Sequence, residues 1–399
     1  MSKEMVMEKI NQAVQILNEK GIDMWITFVR ETGIIPEPMR DIIIGTNCTW
    51  QSAFIITRTG DTYAIVGSLE VPNMKIVGTY RNVIGYLKSI KENLIEVIDK
   101  HNPEKIAINF SRNSSLADGL TYGMYLELIS HLRSTDYVDK LVSSEEIIAA
   151  LRGRKSTLEI TYLKEAVSET IKIFEEVGRF MKPGLTEKQV AAYMQNVTKQ
   201  KGFGLSWEKE YCPSVFTGPD TAGAHSGPTD RQIKKGHVLN IDFGIKFKGY
   251  CSDLQRTWYF LNEKEDVPPE TVIRGFNVIK EAIQLAAKEL KPGKLGWEID
   301  DIARQYIIRS GYEEYPHALG HQIGRVAHDG GGALLAPKWE RYGNLPFIPV
   351  EEGQVFTIEP RLTIKDYGIA TIEEEVIITK NGCEFISPLQ KEIFLIKSE

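Results

Sequence analysis

The sequence predicts a two-domain α+β protein, in which a smaller α/β domain over residues 1–145 precedes a larger α+β domain over residues 146–399. Three observations predict this organisation: strand and helix patterns alternate in the first part, helix-start signals occur near its end, and the second part contains an internal repeat. Hydrophobic residues make up 42% of the chain and charged residues 26%, which is typical of a globular protein with a substantial core.

The N-terminal domain opens with a predicted amphipathic helix over residues 4–20. Its apolar residues recur at helical spacing, and Gly21 follows as a stop signal. Short apolar runs and turn residues predict the elements that follow. These are strands over 24–28 and 105–110, a hairpin formed by 52–57 and 62–66, and a helix over 124–132.

Two helix starts mark the predicted domain boundary. Ser143 and Ser156 are each followed three residues later by a glutamate, which is the pattern of a capping box. We therefore place the boundary between residues 145 and 146. The second of these helices is expected to run toward Met181, where Pro183-Gly184 ends it.

The second domain contains two pairs of matching segments. Met-Lys-Pro-Gly at 181–184 matches Leu-Lys-Pro-Gly at 290–293, and Gly-His-Val-Leu-Asn-Ile-Asp at 236–242 matches Gly-Gln-Val-Phe-Thr-Ile-Glu at 353–359. The matches occur in the same order at similar offsets, which favours duplication over chance. Each copy reads as helix, Pro-Gly stop, helix, and then a strand that ends in a carboxylate. We expect pseudo-symmetric halves around a shared site.

Each copy also predicts a β-hairpin that carries two carboxylates. A turn centred between residues 247 and 248 would place Asp242 directly opposite Asp253, and a turn centred on residue 366 would place Glu359 opposite Glu373. Side-chain alternation does not choose between Glu373 and Glu375, which share a strand face. Ionised carboxylates about 5 Å apart repel by about 3 kcal/mol at an effective dielectric near 20.

A cation between these carboxylates would remove the repulsion. Four carboxylates from two hairpins form a cage for one or two divalent ions, which would activate a water as a nucleophile at neutral pH. The alternative is that acidic residues near turns lie on the solvated surface. This alternative is weaker for the set, because Asp242 and Glu359 follow apolar strand residues that we expect to be buried.

Histidines form the second group of candidate site residues. His225 lies in an Ala-His-Ser-Gly-Pro segment, whereas His321 and His328 lie in a single glycine-containing segment. Gly320 and Gly324 flank His321, so backbone can approach it closely, as a metal ligand or a substrate contact requires. The alternative is that these are packed core histidines.

Taken together, these residues resemble the pita-bread metallopeptidases, and the two-domain layout is similar to that of prolidases and Xaa-Pro aminopeptidases. The resemblance covers nearly all of the chain and is strongest from about residue 150 onward. Its motifs are Ile241-Asp242-Phe-Gly, Ser252-Asp253, Gly320-His321-Gln-Ile-Gly324, Thr357-Ile-Glu359-Pro360 and Ile372-Glu373-Glu374.

The resemblance implies a pseudo-twofold pita-bread catalytic domain that holds two divalent metal ions, with Mn favoured and Co or Zn as alternatives. In this scheme Asp242 chelates one metal, His321 and Glu359 hold the other, and Asp253 and Glu373 bridge them, which selects Glu373 over Glu375. Two non-ligand histidines, His225 and His328, would contact the substrate and stabilise the tetrahedral intermediate, and Glu359 would also shuttle a proton.

The implied activity is hydrolysis of the peptide bond between an N-terminal residue and proline, by a water that two metals activate. Two alternatives stay open: a creatinase-like metal-free amidinohydrolase and a non-catalytic binding protein on the same fold. Departures from the family pattern concern substrate preference. They are Arg361 in place of a glycine, Thr371 in place of an arginine, and glycines at 330–332, while Arg325, Arg341 and Arg361 are candidates for binding a substrate carboxylate.

The composition of the chain argues against nucleic acid and membranes as binding partners. A net charge of −6 without a run of five like charges argues against nucleic acid, and no apolar stretch is long enough to span a membrane. Because no apolar signal-peptide core is present, we expect a cytoplasmic protein, with its four widely spaced cysteines reduced. The resemblance also implies a homodimer.

Overall fold

The structure is a computed structural model that describes residues 2–221, 227–330 and 332–397. The chain forms two compact units, Met1–Ser156 and Thr157–Glu399. The boundary therefore lies later than the one predicted between residues 145 and 146. The physical reason is that the helix Glu145–Gly153 packs on the helix Lys3–Lys20 and shares the hydrophobic core of the first unit.

The first unit is built around one mixed β-sheet, and its helices precede, separate or follow the strands in the sequence. The helices are α1 (Lys3–Lys20), α2 (Val71–Val77), α3 (Lys91–His101), α4 (Tyr122–Leu132) and α5 (Glu145–Gly153). The strands are β1 (Met24–Val29), β2 (Ser52–Thr57), β3 (Thr62–Gly67), β4 (Asn82–Tyr86), β5 (Ile106–Ile108) and β6 (Leu141–Ser143). The sheet order is β4-β3-β2-β1-β5-β6, and β2 runs antiparallel to both of its neighbours.

These elements confirm most of the local sequence predictions. Helix α1 ends at Gly21, which adopts the left-handed conformation with φ 61°, and β2 and β3 form the predicted hairpin. The prediction of a capping box at Ser143 was wrong. Ser143 lies in β6, and its hydroxyl accepts a hydrogen bond from the backbone N–H of Glu145, so the helix begins after Ser144.

Both faces of the first sheet are buried, because alternate strand residues point to opposite sides. Trp25 and Phe54 join α1 and α5 in one core, whereas Ile26 and Ile55 join α3 and α4 in the other. The unit is therefore a three-layer α/β/α sandwich.

A buried carboxyl lies within the first unit, at Glu37. Its Oε1 accepts hydrogen bonds from the backbone N–H of Met39 and from Asn109 Nδ2, each at 3.1 Å. Its Oε2 is buried without a hydrogen-bond partner among the described residues, and a Cβ at Gly119 would lie only 1.9 Å from it. Burial raises the pKa of Glu37 to about 7.

This raised pKa predicts a pH-dependent stability. The folded state holds the Glu37 proton more tightly than the unfolded state, so its contribution is complete below the unfolded pKa and is lost as the pH rises through the folded pKa. The loss is about 3 kcal/mol. Glu37→Gln should therefore be more stable than wild type at pH 8 and similar to it at pH 4, in urea unfolding assigned to the first unit by hydrogen exchange of β1 and β5.

The matched control is Glu96→Gln, at an exposed position on α3. It should leave the free energy of unfolding nearly unchanged at both pH values. An equal effect of Glu37→Gln at pH 4 and pH 8 would contradict the linkage, since a change in packing alone does not titrate.

The second unit contains α6 (Thr157–Phe180), α7 (Glu187–Gln200), α8 (Glu270–Glu289) and α9 (Gly296–Arg309). Its strands in the first half are β7 (Gly204–Leu205), β8 (Ser214–Thr217), β9 (Val238–Phe243), β10 (Ile245–Phe247), β11 (Tyr250–Cys251) and β12 (Leu254–Phe260). Those of the second half are β13 (Val355–Ile358), β14 (Arg361–Ile364), β15 (Gly368–Thr371), β16 (Glu374–Thr379), β17 (Gly382–Phe385) and β18 (Phe394–Ile396). The sheet of this unit with the most strands has the order β18-β12-β9-β8, and another has the order β13-β16-β17.

The predicted duplication is visible in the backbone. Gly184 and Gly293 both follow a helix, and both have positive φ, of 91° and 87°. Each donates its backbone N–H to an equivalent carbonyl, Gly184 to Ile233 and Gly293 to Val350, at 2.9 Å in both cases. The two copies therefore turn in the same way before their second helix.

Each half of the second unit has its own hydrophobic core. Helices α6 and α7 pack with β9 and β12 in one core, and α8 and α9 pack with β13 and β16 in the other. This is the pseudo-twofold arrangement that the sequence predicted. Among the described residues, no helix combines the length and apolar character that crossing a bilayer would need.

Candidate metal centre

The first hairpin differs from the predicted register by two residues along the partner strand, because the centre of its turn lies one residue later. Asp242 lies opposite Gln255 rather than Asp253. The reason is that the chain turns at Lys248-Gly249, which both have positive φ, of 50° and 86°, and not between residues 247 and 248. Asp253 precedes Gln255 by two residues, so it lies diagonally across from Asp242 on the same face.

The second hairpin has the predicted register. Ile358 pairs with Glu374, and the β14–β15 pairing continues the same register on the other side. Glu359 and Glu373, which lie between these two ladders, are therefore opposite each other. A backbone bridge between Gln255 and Glu373 joins this hairpin to the first.

His321 brings the two hairpins' carboxylates to a common point. Its Nε2 lies 3.4 Å from Glu359 Oε1, 3.7 Å from Asp253 Oδ2 and 4.0 Å from Glu373 Oε1. The ligand atoms of Asp253, His321 and Glu373 all lie within 4.8 Å of one another. The preceding Gly320 is needed for this approach, because a Cβ there would lie 1.9 Å from the carbonyl oxygen of Thr357.

The His321 imidazole is neutral at physiological pH. Burial, reinforced by the neighbouring His328, lowers the pKa of His321 to about 3. Its Nδ1 lies 3.2 Å from the carbonyl oxygen of Gln322, which suits a proton on Nδ1. Nε2 then presents a lone pair, not a positive charge, to the surrounding carboxylates.

The carboxylates lack a compensating cation among the described residues. Burial raises the pKa of Asp242 to about 7, and burial together with neighbouring carboxylates raises the pKa of Asp253, Glu359 and Glu373 well above their usual range. Within the described part of the chain, Asp242 Oδ1 and Glu373 Oε1 are buried without hydrogen-bond partners. Oxygen ligands and a neutral imidazole around such unpaired atoms fit divalent cations.

The three consecutive glutamates have different surroundings. Glu373 faces His321, as described above. Glu374 forms a buried ion pair with Arg256 at 3.0 Å, and Glu375 Oε1 accepts the backbone N–H of Asp253 at 2.9 Å. Burial raises the pKa of Glu375 to about 8. Glu375 thus supports the segment of Asp253 from behind.

His328 borders the centre on its open side. Its ring packs edge-on against His321, with the ring centroids 4.3 Å apart. A cleft of about 460 Å³ adjoins the His328 ring, a volume suited to a small peptide. Its lining includes Trp207, Glu208, Tyr211, Asp242, Asp253 and His328. His225, the other predicted substrate-contacting histidine, lies outside the described residues.

The candidate carboxylate-binding arginines have distinct environments. Arg325 packs over the ring of Tyr250 at 5.4 Å, and Arg341 packs over Trp339 at 4.7 Å. Arg361 begins β14 and is half-buried, and this burial lowers the pKa of its guanidinium. Arg325 and Arg341 therefore already take part in aromatic contacts on their own unit.

Gln255 is the site residue that the sequence analysis missed. It is 4% exposed and contacts two of the predicted ligands, Glu359 and Glu373, through its amide. The signal that would have found it is side-chain alternation, since the residue two positions after Asp253 in a strand shares its face.

Comparison with known proteins identifies the family. Residues 161–380 match the model of metallopeptidase family M24. The match spans more than half of the chain, so the protein belongs to this family. The predicted family and the pita-bread fold are confirmed.

Individual relatives agree with this family. The chain is 27% identical over 392 residues to an uncharacterized peptidase of Staphylococcus epidermidis. The alignment covers 96% of this chain and 100% of the relative. The structure of the chain described here is similar to that of a Xaa-Pro dipeptidase from Bacillus anthracis, with a TM-score of 0.71 and 25% identity. The match covers 98% of this chain and 100% of the dipeptidase. An X-Pro aminopeptidase from Thermotoga maritima shares the fold, with a TM-score of 0.71, 23% identity and coverage of 97% and 99%.

Proposed function

We propose that this protein is a metal-dependent Xaa-Pro peptidase, which hydrolyses the bond between an N-terminal residue and proline as an aminopeptidase or a dipeptidase. The observation that carries the proposal is the convergence of buried carboxylates on the neutral His321, beside a peptide-sized cleft. Membership of family M24 and the similarity to a Xaa-Pro dipeptidase of Bacillus anthracis support it.

The proposed cofactor is a pair of divalent ions, with Mn favoured and Co or Zn as alternatives. Asp242 would hold one ion, His321 and Glu359 the other, and Asp253 and Glu373 would bridge them. Such ions lower the pKa of a coordinated water and polarise the scissile carbonyl. Because the ions also neutralise the carboxylates, binding should stabilise the folded protein.

The chain's own residues would supply the remaining steps. Glu359 would carry a proton from the attacking water to the leaving nitrogen, the role of a general acid–base group placed beside the reacting atoms. His328, at the cleft, would donate a hydrogen bond to the oxygen that gains charge on the carbonyl. We propose the same contact with substrate for His225.

Proline is the residue that such a cleft would select. The bond before proline is a tertiary amide without an N–H, so a pocket can select proline by its shape and by not requiring that donor. A homodimer also belongs to this proposal and rests on the family resemblance alone. Analytical ultracentrifugation of the full chain would test it.

The experiment that tests the activity is hydrolysis by protein purified with Mn. We expect about two metal ions per chain by elemental analysis and cleavage of Xaa-Pro substrates, but not of matched Xaa-Ala peptides. Comparing Xaa-Pro dipeptides with Xaa-Pro-Yaa tripeptides would separate a dipeptidase from an aminopeptidase. Protein that binds no metal at saturating Mn would contradict the proposal, and cleavage of creatine without metal would favour the amidinohydrolase alternative.

A further inference from the structure

Gln255 occupies the junction of the two hairpins. It pairs with Asp242 within the β9–β12 sheet, and its backbone bridges to Glu373 of the second half. Its side chain is 4% exposed, in the interior of the unit. A buried amide at this point must place both of its ends against suitable partners.

The donor end of this amide contacts two carboxylates. Nε2 lies 2.9 Å from Glu373 Oε2 and 3.4 Å from Glu359 Oε2. The other oxygen of each carboxylate faces His321, with Glu359 Oε1 at 3.4 Å and Glu373 Oε1 at 4.0 Å from its Nε2. Gln255 therefore occupies one oxygen of each pair and leaves the other directed at the imidazole.

The acceptor end of the amide is fixed by a second set of contacts. Gln255 Oε1 accepts a hydrogen bond from the hydroxyl of Thr371. That hydroxyl accepts in turn from Asn240 Nδ2, at 2.7 Å. The Thr371 hydroxyl thus donates its proton to Gln255 Oε1, and the NH₂ group of Gln255 faces the carboxylates.

We propose that Gln255 is a positioning residue for the metal ligands, which turns one oxygen of Glu359 and one of Glu373 toward His321, and that Thr371 sets the orientation of its amide. The proposal rests on the metal-binding part of the proposed function. It does not depend on the substrate. Outer contacts of this kind typically change metal affinity by 10–100-fold.

The test is the affinity of the metal-free protein for Mn, measured by competition with a chromophoric chelator. Gln255→Met keeps the chain length and removes both donors, so we expect Mn to bind about tenfold or more weakly. Thr371→Val removes only the hydroxyl and should weaken binding less than Gln255→Met does. Circular dichroism would show that each variant is folded at the temperature of the titration.

Gln390 provides a matched control. It is also a buried glutamine, and it exchanges hydrogen bonds with the backbone of Thr257 on the same strand, at 3.0 and 2.7 Å. Gln390→Met should lower the melting temperature without changing the affinity for Mn. An equal loss of Mn affinity in Gln390→Met and Gln255→Met would show a general effect on the strand and overturn the proposal.

Further outcomes of the Mn titration would overturn the proposed role of Gln255 or the proposed function. Unchanged Mn affinity in folded Gln255→Met would overturn the proposal, and if that variant does not fold, unchanged affinity in Thr371→Val would do so. A wild-type protein that binds no Mn would overturn both this inference and the proposed function. Wild-type protein that binds Mn but cleaves no Xaa-Pro peptide would contradict the proposed activity alone.

Discussion

Asp253→Asn is expected to abolish peptide hydrolysis, with a loss of about a thousandfold or more, and to reduce the Mn content below that of wild type. Asp253 is 5% exposed, and its Oδ2 lies 3.7 Å from His321 Nε2, in the group proposed to bridge the ions. Asparagine keeps the shape of the side chain but removes its charge. Elemental analysis and dipeptide hydrolysis would measure both effects.

The same variant should not be less stable than wild type when both are metal-free. Burial and the neighbouring carboxylates raise the pKa of Asp253 well above its usual range, so at neutral pH this carboxyl lowers the stability of the metal-free folded state. Added Mn should then raise the melting temperature of wild type more than that of the variant. Asp301→Asn, at an exposed position on α9, is the control. Full activity in Asp253→Asn would exclude the bridging role.

His328→Ala is expected to lower kcat by about 100-fold or more while Mn affinity stays nearly unchanged. The imidazole lies at the cleft and packs edge-on against His321, but the proposed ligand set does not include it. Steady-state kinetics on an Xaa-Pro dipeptide and a Mn titration would separate the two effects. Loss of Mn in this variant would place His328 among the ligands instead.

The sequence predicted the architecture of the second unit because duplication leaves a visible pattern. The Pro-Gly stops ended helices in both copies, and the register of the second hairpin followed from its turn at residue 366. In the first hairpin, the predicted partner of Asp242 was wrong by two residues. Its turn uses Lys248 with a φ of 50°, a conformation that a lysine rarely adopts and that sequence patterns therefore do not suggest.

Long-range contacts account for the rest of what the sequence did not reveal. Gln255 contacts Glu359 and Glu373, which are more than a hundred positions away in the chain, so no local spacing records these bonds. Similarly, Glu373 and Glu375 share a strand face, and only their partners from other parts of the chain distinguish them. The residue proposed to orient the predicted ligands was therefore harder to find than the predicted ligands themselves.

The Lys248-Gly249 turn limits how the length of this region can vary among related sequences. Each strand alternates its side chains between two faces, so inserting or deleting a single residue on one arm of the hairpin would rotate Asp253 and Gln255 away from Asp242. Viable relatives should therefore conserve the number of residues between Asp242 and Asp253, even where the intervening residue types differ. Length changes should be confined to connections outside the two carboxylate hairpins.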